Sequence, residues 1–127
     1  MDTKLPWVAV VDDEDSIRRA LLRLLRSAGI PARAFDGADS FLAALADGAP
    51  CCALLDVHMP GRSGLDLLAL LAREAPGTGV IIMTGHHTPE EYARAQQYRP
   101  LAYLHKPMND LQLLTAIGTV CPSWSLP

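Results

Sequence analysis

The chain has little of what would set it apart from an ordinary globular protein, and each shortage excludes something. No unbroken apolar run is longer than Leu67 to Ala72, far below the roughly 18 residues that a membrane span needs. Trp7-Val8-Ala9-Val10-Val11 is too short for an export signal and is cut off by Asp12-Asp13-Glu14-Asp15. No large charge excess exists, since 11 basic against 14 acidic residues leave a formal charge of −3. That balance gives no general attraction to phosphate backbones or anionic lipid, so no membrane contact and no direct nucleic-acid binding are expected. Cysteine is scarce as well: three cannot all pair internally, and the neighbours Cys51 and Cys52 would face opposite sides of a strand. Cys51 and Cys52 read as small core residues, and the chain as cytoplasmic. With 20% charged residues, 9 glycines and 10 prolines, the composition excludes a disordered tail, a collagen or a long coiled coil. There is no internal repeat and no low-complexity tract.

What remains is 127 residues, half of them hydrophobic, which is the size of one self-sufficient domain. Residues 1–127 read as a single unit with a core over about 5–120 and a short irregular tail after Cys121. Trp7 to Val11 predicts a buried strand. Ile17, Ala20, Leu21, Leu24, Leu25 and Ala28 then recur at helical spacing, with Asp15 or Ser16 as cap and Gly29 at the exit. Ile30 to Phe35 predicts a second strand, and Asp39 or Ser40 opens a small helix carrying Phe41, Leu42 and Leu45. Cys51 to Val57 reads as a strand covered on both sides, followed by a loop at His58 to Gly64 and a helix over Leu65 to Arg73. Val80 to Met83 is the most β-like run and ends at Thr84. Thr88, Pro89 and Glu91 form a capping-box signature for a helix through about Gln97. Leu101 to Leu104 predicts the last strand, and Asn109 or Asp110 caps a last helix reaching Ile117 to Val120.

Five strand–helix alternations with nearly continuous apolar strands predict an α/β fold, a doubly wound parallel sheet flanked by helices on both faces. Right-handed crossovers bring the strand-to-helix loops to the carboxyl edge of the sheet, where such folds place their ligands. The residues just past the first, third, fourth and fifth strands are Asp12-Asp13, Asp56, Thr84 and Lys106. Each ends an apolar run, and they converge although 94 positions separate Asp12 from Lys106. Three crowded carboxylates repel unless a cation sits among them, and oxygen-only donors suit Mg²⁺ better than zinc. Lys106 adds a fixed positive charge and Thr84 a hydroxyl donor. The set prepares a place for a phosphoryl group, with Asp56 the carboxylate best held to attack it.

These residues resemble the receiver domain of bacterial two-component response regulators. The stretches that carry the resemblance are Val10-Val11-Asp12-Asp13-Glu14, Leu54-Leu55-Asp56-Val57-His58-Met59-Pro60-Gly61, Ile82-Met83-Thr84-Gly85-His86 and Tyr103-Leu104-His105-Lys106-Pro107, in that order along nearly the whole chain. The resemblance implies a flavodoxin-like five-stranded sheet in the order 2-1-3-4-5. It implies that Asp56 accepts phosphate from a sensor histidine kinase or a histidine phosphotransfer protein, and that Asp12, Asp13 and Asp56 hold Mg²⁺ with the backbone carbonyl of His58. It further implies that Thr84 and Lys106 bind the phosphoryl group, that Tyr103 rotates inward as the switch aromatic, and that Pro107 follows a cis bond. Downstream it implies a protein target or a carboxy-terminal output domain, and a homodimer through the fourth helix and fifth strand. The wording Thr84-Gly85-His86 resembles receivers attached to helix-turn-helix transcription factors. One departure stands out: the family usually carries Gly-Ala before the switch aromatic, whereas this chain has Gln97-Tyr98-Arg99-Pro100-Leu101-Ala102, which predicts an unusual output face.

Other readings compete. The acids Asp12 to Asp15 alone suit simple helix-start charges, as Glu14 and Asp15 are read here. Tyr103 reads as a switch or as an edge aromatic. His58, His86 and His87 border the site, where a transition-metal role is conceivable, but His58 and His86 read better as neighbours of the attacking water that tune hydrolysis of the phosphoryl group. Tyr92, Tyr98 and Trp124 carry no assignable task. Asp13-Glu14-Asp15-Ser16-Ile17 loosely resembles the nucleophile motif of haloacid-dehalogenase-type phosphatases, although the chain lacks a later acidic pair and a cap. A flavin site would need hydroxyls and amides in the first loop, where four acids stand. The expectation is a regulatory phosphoacceptor and not a turnover enzyme.

Overall fold

The computed structural model describes residues 6–121, and the predicted irregular tail and Trp124 lie outside them. Five strands, β1 (Val8–Val11), β2 (Ala32–Phe35), β3 (Cys52–Asp56), β4 (Gly79–Thr84) and β5 (Ala102–His105), alternate with five helices. These are α1 (Asp15–Ser27), α2 (Ala38–Leu45), α3 (Gly64–Glu74), α4 (Pro89–Gln96) and α5 (Asp110–Gly118). The strands pair in parallel in the order β2-β1-β3-β4-β5, the expected flavodoxin-like arrangement. Side-chain alternation then explains the apolar continuity. Val8, Val10, Leu54, Ile81 and Met83 face α1 and α5, while Ala9, Val11, Leu55, Val80 and Ile82 face α2, α3 and α4. Every residue of β1 is buried, whereas α4 buries Ala95 alone.

The element ends differ from the sequence reading for identifiable reasons. Helix α1 begins after Glu14, because the Asp12 carboxylate already accepts the Glu14 amide at 2.9 Å, and neither Asp15 nor Ser16 is its cap. Helix α2 starts behind Gly37, ahead of Asp39 and Ser40, since Ser40 bonds back to Asp36 and the Gly37 carbonyl. Helix α3 starts at Gly64, ahead of the expected Leu65, behind a reciprocal capping box between Ser63 and Asp66. At α4 only half of the expected box forms. Thr88 accepts the Glu91 amide at 3.2 Å, but the Glu91 carboxylate takes the Thr88 hydroxyl at 3.1 Å and the His58 ring instead of the cap amide. Asn109 is the cap of α5. The turn before β5 runs through Arg99 at φ 51°, a left-handed conformation that glycine adopts without steric cost.

The cysteines correct the sequence reading most. Cys51 and Cys121 form a disulfide with Cα atoms 5.8 Å apart, across 70 positions of chain, and Cys52 alone stays free and buried. Cys51 is therefore more than a small core residue, and cysteine usage no longer argues for a reducing compartment. Among the described residues no helix is long and apolar enough to cross a membrane.

Candidate functional site

The carboxyl edge of the sheet gathers the predicted residues. Asp12 follows β1 and is fully buried, Asp56 closes β3 at 3% exposure, and Asp13 stays open to solvent. One carboxylate oxygen from each of the three lies within 4.8 Å of the others, and among the described residues this is the single group of three side chains able to share a metal ion. The donors are all oxygen, two of them lack solvent of their own, and one side is open, which fits a hard divalent cation that keeps some water. The backbone of His58 adjoins Asp56 in the same corner and favours its charged form. The histidines form no such group, so the transition-metal reading finds no ligand set among the described residues.

Lys106 is aimed into this corner by the last turn of β5. Its amide donates to the Thr84 carbonyl at 2.8 Å, and the Lys106-Pro107 bond is cis, as the resemblance implied. Its ammonium donates to Asp12 at 2.7 Å and stands 3.3 Å from Asp56 and 3.7 Å from Glu14. Burial works against that ammonium, but the hydrogen bond and charge of Asp12, and then Asp56, outweigh it and hold its pKa above the ordinary lysine value. Burial, and secondly the charge of Asp12, push Asp56 from 3.8 up to about 6, against the pull of Lys106. Two buried carboxylates, with Glu14 at the rim, share one ammonium, a deficit of positive charge that a cation among the acids removes.

Close approach fixes Asp56 from behind. The Gly64 amide donates to the Val57 carbonyl at 3.2 Å, and a Cβ at Gly64 would overlap the Asp56 carbonyl oxygen. Thr84 is fully buried, but its hydroxyl donates to the His86 carbonyl at 3.0 Å and accepts the His86 amide at 3.1 Å. None of its hydrogen bonds reaches Asp56. Tyr103 is half-buried, and its hydroxyl is shielded from solvent with no hydrogen-bond partner. Its ring meets Tyr92 edge-on at 5.1 Å and His87 at 5.8 Å. Tyr92 thus belongs to the Tyr103 cluster, a role that needs the crossing of α4 over β5 and has no signal in the sequence. His58 and His86 stand on the rim with ring centroids 6.3 Å apart, and the His58 ring pairs with Glu91 at 2.8 Å. Asp15 pairs with Arg18 and Arg19 on the outside of α1, so the second acid of the phosphatase-like motif is absent from the site.

The comparisons agree with this geometry. The sequence profile of the response regulator receiver domain matches residues 8–118. Nodulation protein W of Bradyrhizobium diazoefficiens is 38% identical over 110 residues, which are 87% of this chain and 48% of that protein. The DNA-binding transcriptional regulator NtrC of Salmonella typhimurium is 41% identical over 109 residues, 86% of this chain and 23% of that protein. The chain thus spans about half of the first relative and under a quarter of the second. Among solved structures, a response regulator receiver protein from Burkholderia phymatum superposes with a TM-score of 0.81 at 37% identity, covering 96% of this chain and 98% of that one.

Proposed function

From the premise that the chain belongs to the response regulator receiver domain family, we propose that it is a phosphoacceptor switch whose phosphorylated residue is Asp56. The observation that carries this reading is the buried Asp56 carboxylate beside Asp12 and within 3.3 Å of the Lys106 ammonium. A carboxylate oxygen of Asp56 attacks phosphorus of a phosphohistidine on a sensor kinase or phosphotransfer protein, and the phosphorus–nitrogen bond breaks. Lys106 stays beside the transferred group and balances charge at its oxygens. Asp12, Asp13, Asp56 and the His58 carbonyl would hold Mg²⁺, whose chemistry there is neutralisation of the crowded anions.

Phosphorylation adds close to two negative charges at this corner. Thr84 then exchanges its bonds within the 84–86 loop for one to a phosphoryl oxygen. Tyr103, whose hydroxyl now lacks a partner, follows the loop and reshapes the surface of α4 and β5. A downstream protein or a linked output domain reads that surface, with a homodimer through α4 and β5 as one form of the readout. His58 and His86, on the rim, set the lifetime of the phosphoryl group, and the cytoplasm is the compartment where kinase and regulator meet. The phosphatase-like alternative has no support, because Asp15 turns outward and the family match covers the whole sheet.

Incubation with Mg²⁺ and a small acyl phosphate should add one phosphoryl mass to the wild type and none to Asp56→Asn, read by intact-protein mass spectrometry. An equal adduct on both chains refutes Asp56, and repeated turnover of an external phosphomonoester refutes the non-enzymatic reading.

A further inference from the structure

At the opposite, amino edge of the sheet the chain holds a second pair of groups capable of covalent chemistry. Cys51 is pinned there from both sides: its amide donates to the Trp7 carbonyl at 2.9 Å, and its own carbonyl accepts the Gly79 amide at 3.0 Å. Cys121 is brought to it by α5. Its amide closes the last turn on Ile117 at 3.1 Å, and Val120 packs into the space that glycine leaves at Gly79, where a Cβ would stand 2.9 Å from a Val120 methyl. Both partners are thus set by backbone bonds and packing that do not depend on the link between them. The Cys51 sulfur also lies 3.3 Å from the Trp7 carbonyl, so after reduction the Cys51 thiol has an acceptor for its proton close by. The side chain has a partner in either oxidation state.

We propose that Cys51 and Cys121 form a reversible thiol–disulfide modification site, separate from the phosphoacceptor corner, whose substrates are low-molecular-weight disulfides and thiols such as the glutathione couple. In oxidation, the two thiols give up two protons and two electrons, and one molecule of oxidised glutathione becomes two thiols. In reduction, an incoming thiolate attacks the Cys51 sulfur and Cys121 leaves as thiolate. A second thiolate then resolves the mixed disulfide on Cys51. Attack falls on Cys51 because it is partly open, whereas Cys121 is 2% exposed. Cys52, the adjacent residue, does not compete: it is fully buried, and burial pushes its pKa up to about 12, so it holds no thiolate to exchange. In the oxidised form the end of α5 is tied to the start of the strand that carries Asp56 at its other end.

The test equilibrates the whole chain in glutathione buffers from reducing to oxidising, then unfolds it in iodoacetamide and counts labels by mass. Three labels are expected under reducing conditions and one, on Cys52, under oxidising conditions, with peptide mapping linking Cys51 to Cys121. Closing a loop of 70 residues should raise the oxidised melting temperature by roughly 5–15 °C over the reduced form. Cys121→Ser and Cys51→Ser should each abolish the transition, while Cys52→Ser and Asp56→Asn keep it. Three labels in every buffer, a bridge to Cys52, or equal melting temperatures in the two forms overturn the proposal. The labelling result on the wild type stands even if a variant fails to fold.

Discussion

Replacing Asp56 with asparagine should make the fold more stable at neutral pH and leave it nearly unchanged in acid. Burial and the charge of Asp12 raise the folded-state pKa of Asp56 from 3.8 to about 6, so the folded chain holds this proton more tightly than the unfolded chain. The stabilisation from the protonated carboxyl is complete below pH 3.8 and is lost as pH rises through 6. Above that, the fold carries an ionised, buried carboxylate. The gap between 3.8 and about 6, at about 1.4 kcal/mol per pH unit, makes its cost about 3 kcal/mol. Asparagine has the same shape and no charge, and Lys106 keeps its 2.7 Å bond to Asp12, so the substitution leaves no ammonium without a partner. Urea unfolding at pH 7.5 without divalent cations should show the Asp56→Asn midpoint higher by about 1–2 M. At pH 4 the two curves should nearly coincide. Adding Mg²⁺ at pH 7.5 should narrow the gap, because the wild type gains by binding. Equal stability at pH 7.5, or the same gain at both pH values, refutes the reasoning.

Gly64→Ala should destabilise the fold by about 1–3 kcal/mol and lower the phosphoryl yield, because the new methyl group forces α3 off the Asp56 carbonyl. Urea unfolding and adduct mass measure the two effects together. Arg99→Gly should stabilise by about 0.5–1 kcal/mol, since a left-handed residue costs about 1–2 kcal/mol and glycine returns part of that as chain entropy. A loss of stability there would show that the Arg99 side chain holds the turn. His86→Ala should change the phosphoryl lifetime, followed as loss of the adduct with time, and an unaltered lifetime removes His86 from hydrolysis.

The sheet was legible because burial on both faces writes itself as unbroken apolar runs, and Val8 to Val11 and Cys52 to Leu55 are such runs. The site was legible for a related reason: Asp12, Asp56, Thr84 and Lys106 each interrupt or follow one of those runs at the same edge. Helix starts were less so. The Asp12 carboxylate takes the amide at the start of α1, and the Glu91 carboxylate is drawn to His58, both contacts that local spacing does not encode. The Cys51–Cys121 pair and the Tyr92–Tyr103 contact were hidden altogether. Each depends on how an element at the end of the chain, or a crossing helix, lies against a strand.

Helix α4 is moored differently from everything around it. One buried alanine, the Tyr92 ring against Tyr103, the Arg94–Asp66 ion pair at 2.8 Å and the Glu91–His58 contact at 2.8 Å hold it to the body, whereas the neighbouring sheet is locked by its interior. An ion pair as exposed as Arg94–Asp66 fades as ionic strength rises and contributes little even at low salt. Hydrogen exchange should therefore reach the amides of α4 while those of β1 and β3 remain silent. The molecule is built as a rigid floor with a loosely latched shutter, and that shutter can shift without straining the floor beneath it.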